Sequence, residues 1–360
     1  YARFDNGFRD SPEWGSSAIL LPFYLYKWYG DKQVLSESYE MMCRYASYLA
    51  SKSQGDILNF GLGDWYDIGP KDPGPSQLTP SGITATAIYY HDLCVLAEIA
   101  QILHKTVDEK HFKLLSDRVK LAYNKAFFNR EAGQYGTGSQ TANAISVYMG
   151  LANPACKTEV INHIIQDIQS HNNSITAGDI GFRYLLKVLD DAGRSAIIFD
   201  MNSRTDVPGY GFQLAQGATA LTESWQGNRI SSNNHLMLGH LMEWFYSGLA
   251  GIRPEESAIA FRKIIICPEV VGNITATKAS YLSPYGMIKN EWHRTAKYFT
   301  METEIPANTT AVIYLPAGKQ NKYTEGGRGI ENRKDLKFLG LKNGKALIRV
   351  GSGKYFFAVR

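Results

Sequence analysis

The sequence has little of what marks several large functional classes. Its four cysteines, Cys43, Cys94, Cys156 and Cys267, are far apart in the 360 residues. None has a CxxC or Cys/His spacing, so neither a zinc site nor a redox pair is indicated, and buried free thiols are expected. Apolar runs such as Ala18 to Leu21 are far too short to span a bilayer. The formal net charge is only +4, and the basic residues are interspersed. Such a balance favours neither nucleic acid nor an anionic membrane as partner. No GxxxxGK[ST] loop, no GxGxxG after a strand and no GxSxG elbow occurs, which removes the usual phosphate, dinucleotide and serine-hydrolase signatures. Nothing calls for a metal or an organic cofactor.

What the chain does have is aromatic content and helical periodicity. Tyr1 to Phe8 reads as an irregular lead-in. Ser11 then stands at a helix cap, with Pro12 at the first helical position of a helix running to about Tyr29. Leu35, Tyr39, Met42, Ala46 and Leu49 recur at spacings of three and four and predict a second helix. Leu93 to Leu103 and Phe112 to Ala126 predict a pair joined near Thr106. Further helices are expected at about Ala142 to Gly150, around Val160, Ile164 and Ile168, and around Phe182, Leu185, Leu186 and Leu189. Asp200 to Ala218 reads as loop. A last helix carries Leu238, Leu241, Met242, Phe245 and Leu249 on one face.

Long polar loops rich in glycine separate these pairs, above all Gly55 to Ser81. Paired helices with every second connection long are what an α/α barrel or toroid produces, and an irregular bundle has the same periodicity. From Arg253-Pro254 onward the pattern changes to short β-branched and aromatic runs, with Phe299, Met301 and Ile305 alternating and a tight turn at Asn343-Gly344. The expected organisation is therefore a mainly α chain with a β tail: a helical domain over residues 1–253 and an antiparallel β-sandwich over 254–360.

Three groups of residues could carry chemistry. Glu223 lies between a Gly-rich loop and Trp225, as a glycosidase carboxylate would, and equally as a surface or cap glutamate would. Asp64 and Asp67 flank Trp65-Tyr66, where they could bind sugar hydroxyls, orient a catalytic partner or simply stabilise turns. His235 follows Asn233 and Asn234; a lone histidine is as readily structural. Asp10 and Glu13 frame Pro12, and helix capping alone would account for them.

The stretches FRDSPEWGSSAILLPFYLYKWYGD, LGDWYDIGP, TGSQTANA, ITAGDIGFRYLL, PGYGFQLAQGATALTESWQ and SNNHLMLGHLMEWFYSGLAGI together resemble glycoside hydrolase family 78, the α-L-rhamnosidases. The likeness runs in order over residues 1 to 253. In the tail, ASYLSPYGMIKNEW and IPANTTAVIYLP resemble that family's C-terminal sandwich. The resemblance implies an (α/α)6 barrel and inverting hydrolysis that releases L-rhamnose from a rhamnose-containing oligosaccharide or glycoside. It matches Glu223 to the general base, Trp14 and Trp65 to aromatic walls of the rhamnose pocket, and His235 to a histidine that contacts the sugar. Asp64, in the GDW motif, joins the substrate-binding set. The family's general acid lies in a CPxR-D/E-x-LGW segment upstream of the region matching Phe8 to Trp14, and no such segment occurs in these residues. The resemblance thus implies a barrel lacking its first helix or helices, a proton donor outside the chain, and little activity in the chain alone. Two rivals are a hydrolase of another glycoside on an α/α barrel and a non-catalytic carbohydrate-binding protein. A second carboxylate facing Glu223 would separate the enzymes from the binder.

Overall fold

The computed structural model describes residues 10–226, 231–316, 322–333 and 335–360, so the Tyr1 to Phe8 lead-in lies outside the described residues. The helices are Pro12–Gly15 (α1), Ser17–Tyr29 (α2), Lys32–Lys52 (α3), Ser81–Ile102 (α4), Thr106–Phe127 (α5), Gln140–Tyr148 (α6), Lys157–Ser170 (α7), Gly181–Asp191 (α8), Ser195–Ser203 (α9) and Tyr210–Ala215 (α10). Two compact units emerge. One holds residues up to Phe23 together with Gln33–Leu241, the other Tyr24–Lys32 together with Met242–Arg360. Among the described residues no helix is long and apolar enough to cross a membrane.

In the first unit the helices alternate in how they bury themselves. The buried residues of α3 are Leu35, Tyr39, Met42, Ala46 and Leu49, the five positions that the spacing picks out. α7 likewise buries one stripe, Val160, Ile164 and Ile168. By contrast α4 is buried without a break from Gly82 to Tyr89, and α6 from Gln140 to Val147. A helix enclosed on all sides is an inner element, and one with a single apolar stripe is an outer one. α6 packs against both α4 and α8, so the enclosed helices are neighbours.

Three local readings change. Asp200 to Ala218 is not all loop, since α9 extends to Ser203 and α10 occupies Tyr210–Ala215. A six-residue helix is too short to display a period. The single apolar helix expected after His235 is instead a 3-10 turn at Leu236–Leu238, a short α segment at Leu241–Trp244 and a π turn at Phe245–Leu249. Leu238, Leu241 and Leu249 are buried and Met242 and Phe245 exposed, so the five do not share one buried face. Of the cysteines, all free, only Cys267 is buried; the other three are half-buried.

A two-residue-per-strand hairpin, Phe128–Asn129 (β1) with Gln134–Tyr135 (β2), lies between α5 and α6. The remaining strands belong to the second unit: Ile252–Pro254 (β3), Lys263–Ile266 (β4), Ala276–Ser283 (β5), Gly286–Arg294 (β6), Phe299–Ile305 (β7), Thr310–Pro316 (β8), Tyr323–Glu325 (β9), Arg328–Gly329 (β10), Leu336–Lys342 (β11), Lys345–Val350 (β12) and Gly353–Val359 (β13). They form one sheet in the order β10-β9-β13-β7-β6-β5 and another in the order β11-β12-β8-β4-β3. Pairing is antiparallel except between β4 and β8, which run parallel. The expected all-antiparallel tail is corrected to that extent, because β4 enters its sheet from a connection rather than a hairpin. Alternation holds where it was read: Phe299, Met301 and Ile305 are buried on β7. Asn343 and Gly344, both at positive φ, make the two-residue turn between β11 and β12. Each sheet thus has one apolar face, with Trp292 and Phe357 on the first and Ile313, Leu315 and Ile348 on the second among its fully buried members.

Candidate active site

The first turns of α4, α6 and α8 converge on the loop around Asp64. The Asp64 carboxylate is wholly buried. It accepts hydrogen bonds from Thr141 Oγ1 (2.5 Å) and from the backbone N–H groups of Gly178 (2.9 Å), Ile180 (3.2 Å) and Gly181 (2.7 Å). Two of these donors open α8, where the free N–H groups and the helix dipole favour negative charge. Burial nevertheless dominates, and Asp64 is pushed up to about 6. Two glycines permit the approach. A Cβ on Gly178 would lie 2.2 Å from the Trp65 carbonyl oxygen, and one on Gly181 would overlap the Thr141 side chain. Asp67 binds its own loop, accepting from the backbone N–H groups of Gln77 and Leu78. The two aspartates of the DWYD stretch therefore fix the loop, and Trp65 and Tyr66 are displayed between them with rings 5.2 Å apart.

Glu223 is held from two sides. Trp225 is buried behind it, its indole N–H donating to the Ala177 carbonyl (2.8 Å) and its ring meeting Phe182 edge-on at 4.9 Å. This pins the Glu223 loop to the segment that leads into α8. In front, the backbone N–H of Ser232 donates to Glu223 Oε2 (2.9 Å), the Glu223 N–H donates to the Ser232 carbonyl, and the His235 N–H donates to the Leu221 carbonyl. His235 consequently stands beside the carboxylate, its Nδ1 4.0 Å from Glu223 Oε1. On the opposite side of the ring, Nε2 lies 3.8 Å from Asp179 Oδ2. Asp179 is 1% exposed at its side chain. Burial, then Asp64 and Glu223, push it up to about 8.

Asp64, Trp65, Glu223 and His235, all singled out from the sequence, are brought together with Asp179. Trp14 is carried in α1, next to Glu13. The Glu13 carboxylate accepts from Ser11 Oγ and from Thr84 Oγ1 in the first turn of α4, both at 2.5 Å. Ser11 occupies the cap position, but its hydroxyl serves Glu13 instead of the helix. Burial, with a smaller contribution from Asp64, pushes Glu13 up to about 7. Capping therefore does not account for Glu13, and Asp179 was not picked out at all. The only sequence signal for Asp179 is its place between two glycines just ahead of an apolar helix.

A cavity of about 220 Å³ beside this loop is lined by Phe212, Gln213, Thr219, Thr222, Trp225 and Asn233 among others. A wider cleft of about 690 Å³, lined by Asp10, Tyr48, Lys52 and Phe127 among others, holds none of Glu13, Asp64, Asp179, Glu223 and His235. Among the described residues no group of three or more His, Cys, Asp or Glu side chains could hold a metal ion. What the arrangement offers is a half-buried carboxylate with one oxygen anchored by the Ser232 N–H and the other, among the described residues, facing the His235 imidazole. Such a group can take a proton from water.

Comparison with known proteins gives the following. Residues 2–249 match the bacterial α-L-rhamnosidase six-hairpin glycosidase domain, and residues 251–329 match the bacterial α-L-rhamnosidase C-terminal domain. An α-L-rhamnosidase of Streptomyces avermitilis is 27% identical over 358 residues, covering 96% of this chain and 33% of that protein. One from Formosa agariphila is 28% identical over 360 residues, covering 95% and 37%. The chain thus spans about a third of the length of these curated relatives. Among solved structures, the α-L-rhamnosidase of Dictyoglumus thermophilum superposes with a TM-score of 0.90 at 30% identity, covering 98% of this chain and 40% of that one. The Streptomyces avermitilis enzyme, solved with L-rhamnose, gives 0.86 at 26%, covering 96% and 33%.

Proposed function

This chain belongs to the bacterial α-L-rhamnosidase six-hairpin glycosidase family, and from that premise we propose that the whole protein removes terminal α-L-rhamnosyl groups by inverting hydrolysis. Rhamnose-containing oligosaccharides or glycosides are the substrates. Glu223 is the general base. Its Oε2 is anchored by the Ser232 N–H, which leaves Oε1 to take the proton of the attacking water. Inversion needs that water between the base and the anomeric carbon, and hence a proton donor roughly 6.5–9.5 Å from the base, across the sugar. The donor is a carboxylic acid on a segment outside these residues, so the chain by itself turns over rhamnosides barely or not at all.

Trp14 and Trp65 are the stacking walls of the rhamnose pocket, and His235 hydrogen-bonds the sugar. Asp64 serves the pocket by holding Trp65 against the first turn of α8, since four donors already occupy its carboxylate. The enclosed helices α4, α6 and α8 belong to the inner ring of an (α/α)6 barrel over residues 1–253, and residues 254–360 form the sandwich. The observation that carries this reading is the placement of Glu223 and His235 on one loop, fastened through Trp225 to the segment opening α8. Hydrolysis of p-nitrophenyl α-L-rhamnoside by the whole protein, with the anomer of the released sugar followed by NMR, tests it. Turnover with inversion, abolished by Glu223→Gln in a folded protein, is expected. Retention, or a Glu223→Gln variant within tenfold of the parent, overturns it.

A further inference from the structure

We infer that Asp179 is a positioning residue that sets which ring nitrogen of His235 carries the proton and thereby aims the imidazole N–H at Glu223. The inference rests on the proposed role of Glu223 and extends it to a residue not picked out individually from the sequence.

The geometry is a carboxyl on each side of one imidazole: Asp179 Oδ2 at 3.8 Å from Nε2 and Glu223 Oε1 at 4.0 Å from Nδ1. Each separation is a small ring rotation, or one bridging water, beyond a direct hydrogen bond. Both Asp179 oxygens are buried and have no hydrogen-bond partner among the described residues. A buried acid without partners costs stability and does no structural work. The structural task at this position falls to the backbone, whose N–H donates to the Trp65 carbonyl (2.8 Å), and any residue would preserve that bond. The side chain is therefore free for the imidazole that it faces.

Protonation gives the pairing a direction. Asp179 is surrounded by other acids, Asp64 and Glu223, and Tyr66 shares the field of Asp179 and Glu223. Asp64 in turn acts on Glu13, and Asp67 on Asp64. Among these groups Asp179 holds its proton to about 8. A protonated carboxyl is a donor, so Nε2 must accept and the neutral ring must carry its hydrogen on Nδ1, toward Glu223. That N–H fixes the position of Oε1 of the base. Above about 8, Asp179 becomes an acceptor, the proton moves to Nε2, and Glu223 loses its donor.

Selective ¹⁵N labelling of histidine in the full chain reads this directly, with the His235 signals assigned by their loss in His235→Gln. Wild type is expected to show the Nδ1–H form near neutral pH and to change to the Nε2–H form as the pH passes about 8. Asp179→Asn, whose amide donates at every pH, is expected to keep the Nδ1–H form throughout, and Asp179→Leu to lose the preference. A proton on Nε2 at neutral pH in wild type overturns the inference, as does an Asp179→Asn protein that still changes form near that pH. Should a variant fail to fold, the wild-type tautomer decides alone. None of these readings requires turnover. The expected tautomer in a whole protein that cleaves no rhamnoside would leave the inference standing and remove the activity.

Discussion

The two halves of the chain treat their acids in opposite ways. In the helical region Glu13, Asp64, Asp67, Asp92 and Asp179 are all pushed up, with burial the leading cause in each. Apart from that of Asp179, their carboxylates are served by hydroxyls and backbone N–H groups, as Asp64 and Asp92 illustrate. In the sheet-rich region Glu255, Glu291, Glu304 and Asp335 are pulled down, by Ser257, Lys278, Lys289 and Arg333 respectively. These acids sit on the surface. Asp206 of the helical region, exposed and paired with Arg204, behaves like them, so exposure and not the type of fold sets the difference. Burying acids beside other acids is costly, and structures keep such clusters chiefly where chemistry uses them. Four of the five raised acids lie around the first turns of α4, α6 and α8. The contrast sets the helical half apart as the place where buried acids gather.

The same chemical change in each half should give very different results. Glu223→Gln is expected to lower the rhamnoside kcat of the whole protein by roughly 10³-fold, the size of a lost general base, with the unfolding midpoint little changed. Glu304→Gln, in the sheet-rich region, should leave kcat within about twofold, since it removes only one partner of a surface pair. A comparable loss in both would end the distinction. On stability the next largest effect is expected at Asp64. Asp64→Ala strands the donors of Thr141, Gly178, Ile180 and Gly181 in a buried site. A cost of about 3 kcal/mol is expected in denaturant unfolding. A cost below about 1 kcal/mol would mean that water reaches those groups.

The sequence made one part of this legible and hid another. The apolar stripe of α3 and the alternation of β7 could be read because burial there follows a fixed period; Glu223, Trp65 and His235 could be named as candidates because they stand in distinctive loops. Glu13 was hidden by its setting: Ser-Pro-Glu is also an ordinary helix start, and only the Thr84 contact, some seventy residues away, separates the two readings. Asp179 is set apart by what it lacks, a partner, and a linear pattern cannot display that. The π turn at Phe245–Leu249 escaped for a related reason, since five residues of altered register leave no period of their own.

The contrast also predicts how stability responds to pH. Asp64 and Asp179 rise from 3.8 to about 6 and about 8, and Glu13 from 4.5 to about 7. Between these limits the folded helical region holds protons that the unfolded chain has released. The contribution of these acids to its stability therefore falls as the pH climbs from about 4 to about 8 and levels off above, against an opposite contribution from His91, which burial lowers to about 4. The depressed acids of the sheet-rich region act in the reverse sense: their contribution is present above the unfolded values and lost as pH falls below them. Calorimetry across this range should show the helical transition drifting downward with rising pH while the sheet transition holds. Asp179→Asn should flatten the upper part of that drift. A drift unchanged by Asp179→Asn would assign it to the other raised acids, Glu13, Asp64, Asp67 and Asp92.

The smallest effect is the most direct check on the exposed side of the contrast. Lys278 and Glu291 face each other across β5 and β6, with nitrogen and oxygen 2.9 Å apart and the lysine side chain 80% exposed. Water solvates both charges nearly as well when they are apart, and holding two long side chains together costs entropy. Lys278→Ala is therefore expected to move the unfolding midpoint of the sheet-rich region by no more than about 2 °C. Raising the salt should erase even that, because a surface pair is screened over about 10 Å at 0.1 M. A larger shift that survived salt would show Glu291 depending on Lys278 as Asp64 depends on its buried donors. The acids of the two halves would then differ in degree and no longer in kind.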